Sequence, residues 1–243
     1  MQIEGRNPVI EALKARSDLK YIILDEALEP DPKINKIRKL AAQREVPVRM
    51  KPRKYLKKIS QTGTHQGVIA VKNEGKAPSF RQLVEAVPLE SSPFFIYIRE
   101  ALYEHNIGAI IRTAEAAGAH GVIIPPKAKI TPQVIRISMG GTEHVPVIQE
   151  GLFPVIKQAR EKLGLKVIGI EVSGENYYYQ EDLSGPVLFI IGGEDRPLSD
   201  EITSKCDAVV KIPLRGYLNS LNMSVAAGIV LYDKVRQEMS ENV

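Results

Sequence analysis

The sequence predicts an α/β protein built on a parallel sheet, with a small α/β domain ahead of a larger one. Three observations predict it. Helix-like and strand-like segments alternate along the chain. The strand-like runs of the larger part, such as FFIYI and PVLFII, are continuously apolar rather than alternating, which suits strands buried on both faces of a parallel sheet. The charge also changes sign: residues 1–76 hold 17 Lys and Arg against 9 Asp and Glu, while the remainder holds 16 against 20.

NPVIEALKAR (7–16) reads as a helix with Asn7 as candidate cap, Pro8 at its first position and an apolar stripe of Val9, Ile10 and Leu13. YIILDEA (21–27) is a strand, PKINKIRKLAAQRE (32–45) a helix and VPVRMK (46–51) a strand. RKYLKKIS (53–60) follows as a helix and GVIAVKN (67–73) as a strand. NEGKAPS (73–79), polar and containing Gly and Pro, coincides with the charge change and marks a linker. Beyond it, strands are expected at 94–100, 121–125, 145–149, 166–172, 186–193 and 208–214, with helices between most of them.

Composition excludes several classes. At 243 residues and 44% hydrophobic content the chain is long enough for real cores. No segment approaches the roughly 18 to 20 apolar residues of a membrane span, and the N-terminal MQIEGRNPVIEALKAR is charged, so a cytoplasmic protein with no membrane partner is expected. The single Cys206 permits no internal disulfide and is expected as a small, partly buried residue. His65, His105, His120 and His144 are scattered without metal-ligand spacing, so no metal is expected. The run REVPVRMKPRKYLKK (44–58) carries seven basic residues, one Glu and Tyr55. Lys and Arg neutralise phosphates and aromatics stack on bases, so contact with a nucleic acid is expected, although a solvated helix face has similar composition.

In parallel sheets ligands bind at the carboxyl ends of strands, which directs attention to three loops. EALYEHNIGAIIRTAEAAGAHG (100–121) opens a helix with Asn106 and Gly108, with Arg112 six residues past the Asn. It contains no GxGxxG, and the chain contains no GxxxxGK[ST]. IIGGEDRPLSDEI (190–202) ends a buried strand in Gly192 and Gly193, then Glu194 and Asp195; glycines admit a ligand close to the backbone, but a tight turn before a helix capped by Ser199 or Asp200 reads equally well. KIPLRGYLNSLNMSVAAG (211–228) crowds Asn219, Ser220, Asn222 and Ser224 at a helix start that needs one cap.

Together, NIGAIIRTAEAAGAHGVIIP (106–125), FIIGGEDRPLS (189–199) and IPLRGYLNSLNMSVAAGIVLYDKVRQ (212–237) resemble the SpoU (TrmH) family of RNA ribose 2′-O-methyltransferases of the SPOUT class. SMGGTEHVPV (138–147) is similar to the branch that modifies a guanosine of large-subunit (23S) ribosomal RNA. IEGRNPVIEALKAR and THQGVIAV (64–71) resemble the small L30e-like RNA-binding domain that often precedes the catalytic one. The resemblance implies an L30e-like domain over 1–75, a linker and connecting helix over 76–92, and a catalytic domain over 93–243 whose C-terminal segment threads a trefoil knot. It further implies a homodimer, S-adenosylmethionine as cofactor, and RNA as substrate, with ribosomal RNA favoured over transfer RNA.

Carried over by motif, Gly192, Gly193, Ile212, Leu214, Gly216 and Leu221 would border the cofactor. Arg112 would lie beside the target hydroxyl, with Asn106, Glu194, Ser220 and Asn222 around it. Ser220 is expected to cap the last helix or orient Arg112, and Asn222 to serve the active site. A guanidinium holds its proton too firmly to be a good base, so Arg112 is expected to bind phosphate and stabilise developing alkoxide charge. Two stretches depart from the family pattern: Arg99, Glu104 and His105 replace an acidic residue and Asp-Pro, and Gly193-Glu194-Asp195-Arg196-Pro197 replaces Gly-Glu-Gly-x-Gly. A Pro in that loop fixes one φ and removes a donor. The alternatives are a catalytically silent RNA-binding protein on the same scaffold, and a small-molecule enzyme on a flavodoxin-like sheet.

Overall fold

The structure, a computed structural model, describes residues 1–29, 31–73, 75, 77–88, 92–193 and 196–241. The chain begins with β1 (Gln2–Glu4), α1 (Arg6–Lys14), β2 (Leu19–Asp25), α2 (Pro32–Gln43), β3 (Val48–Lys51), α3 (Arg53–Ile59) and β4 (Val68–Lys72). It continues through α4 (Phe80–Ala86), β5 (Phe94–Ile98), α5 (Glu104–Ala116), β6 (Gly121–Ile124), α6 (Pro132–Ile137), β7 (Val147–Gln149) and α7 (Leu152–Leu163). The last elements are β8 (Lys166–Ile170), β9 (Asn176–Tyr177), β10 (Val187–Ile191), α8 (Asp200–Thr203), β11 (Ala208–Lys211) and α9 (Met223–Glu241). Two compact units form: Met1–Lys76 with Lys129–His144, and Ala77–Ala128 with Val145–Val243.

In the first unit the strands lie in the order β1-β4-β2-β3, with β4 antiparallel to β1 and β2, and β3 parallel to β2. β1 was not expected, because Gln2-Ile3-Glu4 holds one apolar residue and is too short to show a period. α1 starts at Arg6 rather than after Asn7, since Gly5, at φ 99°, turns the chain out of β1. Asn7 therefore caps nothing, and Pro8 sits inside the first turn, where its missing N–H costs little. α2 begins as its sequence suggests: the Asp31 carboxylate accepts from the Lys33 and Ile34 amides, and Pro32 opens the helix.

Val9, Leu13, Ile22, Ile34 and Val68 form this unit's core, and Ile135 of α6 joins them. Residues 129–144, which the resemblance places within the catalytic region 93–243, pack with the first unit by their contacts. Lys72 pairs with Glu143 at 2.7 Å and His144 with Glu11 at 3.0 Å, fixing that segment at its far end.

The second unit is a seven-stranded sheet in the order β7-β6-β5-β10-β8-β11-β9, every neighbouring pair parallel. All five residues of β5 and of β10 are buried, as the unbroken apolar runs require. Phe80 of α4 meets Phe95 of β5 edge to face, with ring centroids 5.2 Å apart. α5 and α9 pack together. The strand succession reverses between β5 and β10, which places a topological switch point at the centre of the sheet.

Candidate active site

Three neighbouring strands, β10, β8 and β11, end at one cavity of about 350 Å³. β8 supplies Ile170 and then Glu171, β10 supplies Ile191 and then Gly192 and Gly193, and the segment after β11 supplies Ile212 and Leu214. Asn219, Ser220, Leu221 and Met223 close it from the start of α9. Both glycines are crowded, Gly193 more than Gly192, where only the end of one side chain comes close. A Cβ at Gly192 would strike the Glu171 carboxylate, and one at Gly193 would strike Glu100. With only hydrogen on these Cα atoms, a ligand in the cavity can reach the backbone.

Glu171 holds the cavity wall together: its Oε2 accepts from the Leu198 amide and its Oε1 from the Val172 amide, both at 2.9 Å. This residue was missed in the sequence, although the signal was present: an acid directly follows the apolar run KVIGI, at the carboxyl end of a strand. The rest of the lining is largely aliphatic. Leu214 and Leu221 each remain 37% exposed, so apolar surface at the cavity edge is available to a ligand. An apolar slot flanked by glycine backbone and a few polar side chains suits a flat heteroaromatic ligand with hydrogen-bonding edges.

The third segment answers why four small polar residues begin α9. Asn222 is the cap: its Oδ1 accepts from the Ser224 amide at 3.0 Å and from the Ser224 hydroxyl at 2.6 Å. Its Nδ2 donates to Oδ1 of Asn106, a buried residue of α5, at 2.9 Å. Asn219 and Ser220 line the cavity. The expectation that Ser220 caps the helix or orients Arg112 is therefore corrected: among the described residues, Asn222 does the capping and Ser220 makes no hydrogen bond to Arg112.

Of the expected cofactor residues, Gly192, Gly193, Ile212, Leu214 and Leu221 line one cavity, whereas Gly216 is exposed and is not part of its wall. Of the expected catalytic residues, Asn106 and Asn222 meet directly, and Ser220 faces the cavity that Leu221 and Met223, the neighbours of Asn222, also line. Arg112 lies on α5 about 9 Å along the axis from Asn106. It is exposed, and among the described residues its side chain makes no hydrogen bond or ion pair. Glu194, like Asp195, lies outside the described residues. Pro197 lines the cavity, so the departure from the glycine-rich pattern falls directly on its wall. Cys206, half-buried against Gly169, has its thiol pushed up to about 11 by burial, in keeping with a packing role.

Comparison with known proteins shows the family. The profile of the SpoU rRNA Methylase family matches residues 93–232, and that of the RNA 2'-O ribose methyltransferase substrate binding family matches residues 2–76. The 23S rRNA (guanosine-2'-O-)-methyltransferase RlmB of Pseudomonas putida is 33% identical over 222 residues, covering 90% of this chain and 89% of that protein. An uncharacterized tRNA/rRNA methyltransferase of Mycolicibacterium vanbaalenii is 33% identical over 240 residues, covering 97% of this chain and 76% of that one. The crystal structure of the SpoU methyltransferase AviRb of Streptomyces viridochromogenes, in complex with AdoMet, superposes with a TM-score of 0.83 over 99% of this chain and 91% of its own, at 24% identity.

Proposed function

Because the chain belongs to the SpoU rRNA methylase family, we propose that it methylates a guanosine ribose 2′-hydroxyl of large-subunit ribosomal RNA, as a homodimer in the cytoplasm. Its activity is that of an RNA 2′-O-ribose methyltransferase, and its cofactor is S-adenosylmethionine. One observation carries the placement of the chemistry: the cavity at the carboxyl ends of β8, β10 and β11 adjoins the helix start where Asn222 meets Asn106.

The residues present fit the cofactor. Ile170, Ile191, Ile212, Leu214 and Leu221 offer an apolar slot, and Gly192 and Gly193 present backbone without a Cβ. When bound, S-adenosylmethionine supplies an electrophilic methyl on a sulfonium. The chain's own work is positioning, which can lower a barrier by several kcal/mol when reacting atoms are held about 3 to 3.5 Å apart. The Asn106–Asn222 bond fixes the start of α9, and with it Ser220 and Leu221 at the cavity wall. Arg112, a cation with its fork of donors uncommitted, binds the phosphate beside the target sugar and steadies negative charge developing on the 2′-oxygen. Glu194 is proposed as a further polar group of the same site.

An exposed apolar stripe supports the homodimer. Val225, Tyr232 and Met239 recur at seven-residue intervals on α9 and are 51%, 49% and 68% exposed, and Leu102 and Tyr103 beside the start of α5 are equally uncovered. The relative RlmB acts, by its name, on a guanosine of 23S rRNA, which supports ribosomal over transfer RNA. Mapping ribose methylation in RNA from cells with and without the gene tests the proposal. Loss of one methyl at a 23S guanosine is expected; loss from a transfer RNA would move the substrate, and no loss in any RNA would overturn the reading.

A further inference from the structure

The first unit holds a second cavity, of about 590 Å³, where the starts of α1, α2 and α3 meet the loop before β4. Its wall combines Asp25, Asp31, Arg6, Lys33, Arg53 and Gln66. Asp25 is the unusual member. It is 2% exposed, its Oδ1 accepts from the Ala27 amide at 3.0 Å, and among the described residues its Oδ2 accepts no hydrogen bond. Its second oxygen is not among the buried atoms that lack a partner, so it is open to the cavity, where a ligand's donor can replace water on it.

The cations are arranged unequally. Arg6 is committed: it pairs with Asp31 at 2.8 Å, donates from Nε to the Gln66 carbonyl, and gives its amide to Gln66 Oε1. Lys33 and Arg53 are exposed and their side chains make no hydrogen bond or ion pair among the described residues, so both remain available to an anion. Gln66 has its oxygen occupied and its amide protons to give. The loop that presents it is held in an uncommon conformation, with Gln66 at φ 52° and Gly67 at φ 79°; such backbone is kept where the surroundings demand it.

The geometry points to this cavity as a subsite for a guanine nucleotide splayed out of the RNA, with the base on Asp25 and its phosphate on Arg53 and Lys33. The inference rests on the RNA-acting reading above. Single-stranded bases are read on their Watson–Crick edges once splayed from the stack. Guanine alone presents two adjacent donors there, N1–H and N2–H, which match a carboxylate; adenine, cytosine and uracil each set an acceptor beside their donor, which the Asp25 charge would repel. The Gln66 amide can donate to O6 beside them. The contacts to phosphate position the strand without regard to sequence.

Calorimetry on the full-length protein tests this, with S-adenosylhomocysteine saturating the other cavity and GMP, AMP, CMP, UMP and inorganic phosphate as separate probes. GMP is expected to bind at least about tenfold more tightly than the other three nucleotides, one good base contact being enough for that ratio. Asp25→Asn, which keeps an acceptor for the Ala27 amide, should erase that preference with an unchanged melting temperature. Arg53→Ala should weaken every nucleotide alike. Equal affinity of the four nucleotides for the wild type, or an undiminished preference in Asp25→Asn, overturns the subsite. If Asp25→Asn unfolds, Leu28→Phe takes its place by narrowing the same cavity, and retained GMP binding then overturns it. Methyl transfer to RNA by a protein that shows no GMP preference would sink this subsite and leave the catalytic reading standing; absence of transfer from a protein that binds GMP selectively would do the reverse.

Discussion

The side-chain amide of Asn222 donates to the side-chain oxygen of Asn106 at 2.9 Å, across 116 residues of sequence, while its own oxygen caps α9. One residue thereby starts the last helix and ties it to the helix that carries Arg112. Asn222→Ala should lose both, and the cap alone is worth about 1 kcal/mol in chemical denaturation. Asn106→Ala should leave the cap and lose the tie. Both are expected to lower methyl transfer by about a hundredfold, the scale of a small misplacement at a reacting centre. Full turnover by Asn106→Ala would show that the tie does not position the site.

Arg112→Lys keeps the charge and removes the planar fork. Turnover is expected to fall by about 10² to 10³ while the affinity for S-adenosylmethionine, read by calorimetry, stays unchanged. A matching loss of cofactor affinity would place Arg112 in cofactor binding instead.

Gly193→Ala puts a methyl against Glu100, and Gly192→Ala one against Glu171. Each should destabilise the fold by about 1 to 3 kcal/mol and weaken cofactor binding, because the displaced carboxylate lies at or beside the cavity wall. Gly216→Ala serves as the control: nothing lies within 4 Å of its added Cβ, so stability should hold.

Lys234 is wholly buried, donates to the carbonyls of Leu183, Ser184 and Gly185, and pairs with Glu238 at 2.8 Å. Its ammonium also lies 5.3 Å from the centre of the Phe94 ring. Lys234→Met fills the space but strands those acceptors, and should cost about 3 kcal/mol or more in urea unfolding.

Acid should loosen the first unit through Glu4. Burial raises its pKa, but hydrogen bonds from the Ser60 and Thr62 hydroxyls, the Gln61 amide and Gln2 outweigh that and hold the carboxyl below its ordinary value of 4.5. A carboxyl lowered in the folded state adds stability that is fully present above its unfolded pKa and is lost as pH falls through the folded one. Unfolding free energy followed from pH 7 into the acid range should therefore drop below about pH 4.5, and Glu4→Gln should flatten that drop. An unchanged slope in Glu4→Gln would assign the acid sensitivity elsewhere.

Much of the second sheet was legible because β5, β6 and β10 are unbroken apolar runs, and burial on both faces leaves that mark in any sequence. β1 and β9 were not, since two or three residues cannot display a period and exist only through their partners β4 and β11. The segment 129–144 fell within the region that the resemblance assigned to the catalytic domain, whereas Ile135 and the Lys72–Glu143 pair attach it to the first unit.

By itself the sequence determined the alternation of elements, the basic first third and the segments that carry the site's glycines and small polar residues, because each is a property of consecutive residues. Only the tertiary structure decided that Glu171 braces the cavity, that Asn222 rather than Ser220 caps α9, and that Asp25 sits buried with an acceptor to spare. Those facts depend on hydrogen bonds between residues brought together by strand order and turn geometry, and such bonds leave no periodic trace along the chain.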